Sequence, residues 1–120
     1  MHTVCETFAF RSAAKDAGMT RDEVDAFTDI VASDPQAGDM MEETGGCRKV
    51  RFAKRGAGKS GGYRVITYFG GANLPVFLLT VFGKGEKSNL TKAERNGLAA
   101  LTKTLAEAYR QKVVNMGSAR

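Results

Sequence analysis

The chain has 120 residues, 42% hydrophobic and 26% charged, with a formal net charge of +5. That length fits one domain with a single core, and the composition excludes an intrinsically disordered chain. The longest apolar run, Pro75 to Phe82, is interrupted by Thr80 and falls far short of the roughly 20 residues a membrane span needs, so no membrane association is expected.

Thr3 to Glu6 reads as a short first strand. Phe8 to Ala17 carries apolar residues near one helical face and stops at Gly18. Thr20-Arg21-Asp22-Glu23 is a capping box, and Val24, Phe27, Ile30 and Val31 recur at helical spacing, which predicts a second helix over 21–33. Asp34-Pro35 ends it, because the residue before proline avoids the α region. Residues 35–46 read as a polar connection. In Arg48 to Ala53, Val50 and Phe52 fall on one strand face and Lys49 and Arg51 on the other. A basic, glycine-rich loop, 54–62, leads to a strand over Tyr63–Phe69. A turn at 70–73 leads to another over Pro75–Phe82, and short loops imply antiparallel pairing of these three. After a polar loop, Thr91-Lys92-Ala93-Glu94 is a second capping box. It opens a helix with Leu98, Leu101, Leu105 and Tyr109 on one stripe, running to about Lys112. The expected order is β-α-α-β-β-β-α, an α+β domain over 1–112 with a mostly antiparallel sheet and a tail, 113–120, expected to fray.

Charge is distributed unevenly. Residues 1–43 hold three basic and ten acidic residues, a net of −7, and residues 44–120 hold fifteen basic and three acidic, a net of +12. From Thr44 to Gly85 there is no carboxylate, while Arg48, Lys49, Arg51, Lys54, Arg55, Lys59, Arg64 and Lys84 all fall there. A field this concentrated suits a polyanionic partner, since phosphate neutralisation scales with the number of cations. A surface selected only for solubility would mix signs.

Gly58-Lys59-Ser60 matches the end of a phosphate-binding P-loop, but Ala53 stands where the pattern needs its first glycine, and a strand follows where a helix is required. Nucleotide binding is therefore rejected. His2 is the sole histidine, expected to be a solvated terminal residue, so a two-histidine ribonuclease is excluded. With one histidine and two cysteines, Cys5 and Cys47, no zinc spacing can be assembled, and neither metal nor cofactor is expected. The two cysteines read as buried free thiols of a reducing cytoplasm.

What remains is a cationic sheet. Lys49 and Arg51 leave a strand on the same side, Arg64 begins the next strand, and Lys84 and Lys87 lie just past the third. Cations converging at one end of a sheet suit phosphoryl transfer, binding the phosphate and stabilising charge on its oxygens. RNA supplies its own nucleophile, the 2′-hydroxyl, so Lys49, Arg51, Arg64 and Lys84 are the catalytic candidates. Arg48, Lys54, Arg55, Lys59 and Lys87 are the RNA-binding candidates. Glu86 is the nearby carboxylate, read as an orienting ion-pair partner. Phe27, Phe69 and Phe77 are assigned to the core, and Tyr63 and Phe82 to possible base contacts.

Residues 44–69, with Gly61-Gly62-Tyr63-Arg64, and residues 78–94, with Gly83-Lys84-Gly85-Glu86-Lys87, resemble the RelE/HigB toxins of type II toxin–antitoxin modules. The resemblance implies a RelE-like fold, translation-dependent mRNA cleavage on the ribosome, and a cognate antitoxin partner. It puts Arg64 on the scissile phosphate and Lys49 and Arg51 in the basic pair before the glycine-rich loop. The chain departs from the best-known members at Gly85, where an arginine is often found, and at Leu90, where they carry a tyrosine. Two alternatives share the charge pattern. One is a ParE-like gyrase inhibitor, which need not keep Lys49, Arg51 and Arg64. The other is a non-catalytic RNA-binding module.

Overall fold

A computed structural model of the chain describes residues 1–53, 62–83 and 90–118, with side chains through 109. The elements are β1 (Val4–Glu6), α1 (Phe8–Asp16), α2 (Arg21–Ser33), β2 (Asp39–Met40), β3 (Cys47–Phe52), β4 (Tyr63–Phe69), β5 (Val76–Gly83) and α3 (Lys92–Ser118). The fold is α+β, as the periodicities imply, with one mixed sheet in the order β1-β5-β4-β3-β2. The pairs β2–β3, β3–β4 and β4–β5 are antiparallel, whereas β1 runs parallel to β5.

Local chemistry accounts for the helix ends. Thr7 caps α1, its hydroxyl accepting from the Phe10 amide. At α2 the Thr20 hydroxyl accepts from the Glu23 amide at 3.1 Å while the Glu23 carboxylate accepts from the Thr20 amide at 2.9 Å. The Thr91–Glu94 pair repeats this at α3 with the same distances. Each capping box satisfies two amides that have no partner inside the helix. Helix α3 continues past Lys112 to Ser118.

The sheet separates two apolar clusters. Phe10, Ala14, Val24, Phe27 and Val31 of the first two helices pack on Val50, Tyr63, Val65, Val76, Leu78 and Val81. On the opposite face Cys47, Ile66, Phe77 and Leu79 meet Leu98, Leu105 and Tyr109 of α3. Phe27 and Phe77 are core residues, as expected, and Phe69 packs at the edge of the first cluster.

Three expectations are corrected. The connection 35–46 contains the two-residue strand β2, too short to leave a periodic signal. His2 is not a solvated end: its amide donates to Ala32 O at 2.8 Å, and its ring bonds Leu74 O and meets Phe69 edge-on. Tyr63 is not available to a base. It is 2% exposed within the first cluster, and its hydroxyl donates to the Glu23 carboxylate at 3.1 Å. Both cysteines are free thiols, Cys47 buried and Cys5 partly so.

Candidate functional site

The α3 face of the sheet carries the charge. Alternation along β3 places Cys47, Lys49 and Arg51 on that face and Val50 and Phe52 on the other, and Cys47 and Val50 do enter opposite clusters. The β3–β4 register sets Arg51 directly opposite Arg64 and Lys49 opposite Ile66. Directly opposed residues share a face, so Lys49, Arg51 and Arg64 stand together. Like charges set opposite on neighbouring strands are destabilising. Among the described residues no carboxylate lies within 4.0 Å of any of the three cations, the limit for an ion pair. Arg21 contrasts with them: its fork binds Glu6 and Asp25 at 2.8 Å each and holds the Glu6 carboxyl below the usual range.

A β-bulge brings an aromatic ring to the same place. Ile66 pairs with Thr80 but Thr67 pairs with Leu78, so Leu79 is an extra residue in β5. Strict alternation from Phe77 would put Val81 on the α3 face and Phe82 on the other. The bulge reverses the phase, so that Val81 enters the first cluster and Phe82 the second, directly opposite Arg64.

These residues line an open hollow of about 350 Å³. Its walls are Lys49 and Arg64, the apolar Ile66, Phe82 and Leu90, the β2 segment from Asp39 to Glu42, and Arg95 of α3. Arg51 stands exposed beside it on the same strand face.

The segment 41–46 clasps α3 onto this edge of the sheet. The Thr44 hydroxyl donates to Met41 O and accepts from the Cys47 amide, and Thr44 is fully buried. Gly45, at φ +76°, lies so close to α3 that an added Cβ would come within 2.4 Å of the Thr102 hydroxyl and 3.2 Å of the Ala99 Cα. The clasp ends with Arg95 donating to Glu42 O at 3.0 Å. Burial of Cys47 behind the clasp pushes its thiol up to about 11.

The other predicted residues divide. Arg48 faces the opposite side of β3 from Lys49, and its guanidinium donates to Gln36 O at 3.2 Å. Lys54, Arg55, Lys59, Lys84, Glu86 and Lys87 lie outside the described residues. Asp39, Glu42 and Arg95 are site residues that the sequence reading missed. Arg95 did carry a signal, being three residues before Leu98 and so on the same helical face as the sheet-facing stripe. Asp39 carried none, since its place opposite Lys49 depends on the β2–β3 pairing.

The arrangement presents cations with no ion-pair partner among the described residues, and an aromatic ring, on one sheet face, suited to a phosphodiester with an attached base. Among the described residues no group of three His, Cys, Asp or Glu side chains could hold a metal ion, and no helix is long and apolar enough to cross a membrane. The family model describing the RelE toxin of the RelE/RelB toxin–antitoxin system matches residues 9–120.

Proposed function

The chain belongs to the RelE toxin family, and from that premise we propose that it is a ribosome-dependent, metal-independent endoribonuclease acting on mRNA in the cytoplasm. The toxin–antitoxin assignment comes with the family and brings a protein antitoxin as partner. The observation that carries the catalytic reading is the cross-strand pair Arg51–Arg64 beside Lys49, a like-charge group with no carboxylate partner among the described residues. Such a grouping opposes stability, and an anion seated between the side chains removes the repulsion.

The proposed reaction draws on that grouping of charge. The 2′-oxygen of one nucleotide, giving up its proton to solvent, attacks the adjacent phosphorus in line, and the bond to the 5′-oxygen of the next nucleotide breaks as that oxygen takes up a proton from solvent. A 2′,3′-cyclic phosphate and a 5′-hydroxyl result. Negative charge grows on the non-bridging oxygens, where Arg64, Arg51 and Lys49 neutralise it in the role a divalent cation fills elsewhere. Lys84, which follows β5 in the sequence and lies outside the described residues, is assigned the same role. Asp22, Asp25 and Asp29 lie exposed on α2, in the layer on the other side of the sheet, so the acidic face of that helix turns away from the transcript.

The test is expression in bacteria without an antitoxin. Growth should stop, and transcripts should be cut inside reading frames but spared when their start codon is removed. Toxin stripped of metal with a chelator and then desalted should cut ribosome-bound message as fast as untreated toxin. Intact transcripts with inhibited gyrase supercoiling would replace this reading with the ParE-like one. Salt-sensitive RNA binding without scission would replace it with a binding module.

A further inference from the structure

The hollow contains a group that phosphate binding does not explain. Asp39 sits directly opposite Lys49 in the β2–β3 register, and so on the same face, and it lines the hollow with Lys49 and Arg64. A carboxylate there repels a phosphate. It forms no direct ion pair with Lys49 among the described residues, which leaves its oxygens open to a ligand. The same hollow has an apolar side, Ile66, Phe82 and Leu90, and Phe82 reaches it only because β5 is bulged. An aromatic ring, an apolar floor and carboxylate acceptors, of which Asp39 is the one opposite Lys49, beside a cationic rim form a receptor for a planar, amino-bearing heterocycle attached to a phosphate.

We propose that the hollow is a specificity subsite for one of the two nucleobases flanking the cleaved linkage, and that Asp39 selects bases presenting an exocyclic amino group. The proposal rests on the ribonuclease reading above. Ionised aspartate only accepts hydrogen bonds. Guanine offers N1–H and an N2 amino hydrogen side by side and is the best match. Cytosine and adenine each offer an amino group. Uracil is the worst, because its one N–H is flanked by carbonyl oxygens that the carboxylate repels. Arg95, held on Glu42 O, is a positioning residue that fixes the wall formed by the segment 39–42.

The experiment measures cleavage rates on ribosomes programmed with messages that differ only in the two bases flanking the cut, using the wild-type protein, Asp39→Ala and Asp39→Asn. At one flanking position the wild type should cut the guanine message about 10-fold faster than the uracil message, the discrimination expected of a hydrogen-bonded base edge. Asp39→Ala should bring the two rates within about twofold of each other, the guanine message losing the advantage that the carboxylate gave it. Asp39→Asn is nearly isosteric and decides the matter if the alanine variant folds poorly. Its amide can donate to uracil, so it too should lose the preference. A wild type indifferent to both flanking bases, or either folded variant keeping the full preference, overturns the proposal while leaving the ribonuclease reading standing. A wild type that cuts none of the messages overturns both.

Discussion

Replacing Arg64 with glutamine should remove activity and leave the fold slightly more stable, two effects of opposite sign from one side chain. Arg64 and Arg51 are directly opposed, which puts their Cβ atoms about 5 Å apart and lets the guanidinium groups spread to roughly 7 Å. At that distance in water the repulsion is about 0.6 kcal/mol, and it falls by about half at physiological ionic strength. For a domain of this size 0.6 kcal/mol corresponds to about 2 °C in the melting midpoint. The Arg64→Gln variant should therefore melt about 2 °C above the wild type in low salt and together with it in 1 M salt, where screening reaches about 3 Å. Removing one donor from a site of developing charge costs about 100- to 1,000-fold in rate. Melting is followed by circular dichroism at several salt concentrations, and cleavage on programmed ribosomes. A variant that melts several degrees lower, or that cuts within 10-fold of the wild-type rate, would show Arg64 to be a structural residue and would refute the argument.

Two further outcomes follow from the clasp. The Cys47 thiol is raised to about 11 from an ordinary value of 9.0, chiefly by burial, so its contribution is complete below pH 9 and is lost as pH rises toward 11. That is about 2 kcal/mol of alkaline destabilisation, read from urea melts, and it should be absent in Cys47→Ala; an unchanged alkaline slope in that variant would remove the attribution. Gly45→Ala adds a Cβ against Thr102 and Ala99 at a positive φ, and should lose about 1–3 kcal/mol in the same melts. Cleavage should fall as well, because Arg95 and the segment 39–42 are held through that contact; a variant as stable and active as the wild type would show the clasp to be unnecessary.

The sequence alone determined the helices, the three long strands and the cationic face. These depend on interactions within a few residues: capping boxes at Thr20 and Thr91, a proline after Asp34, and alternation that separates Lys49 and Arg51 from Val50 and Phe52. Relations between distant segments were decided only in three dimensions. The pairing of β1 with β5 is parallel and joins segments about seventy residues apart, for which no local pattern exists. Phe82 faces the cations because one extra residue shifts the phase of β5, and Tyr63 is buried because α1 and α2 cover that side of the sheet. Asp39 and Arg95 enter the site through a two-residue strand and a glycine contact. A local pattern records which face a side chain takes, whereas the neighbours it meets there depend on register and packing, which are properties of the whole chain.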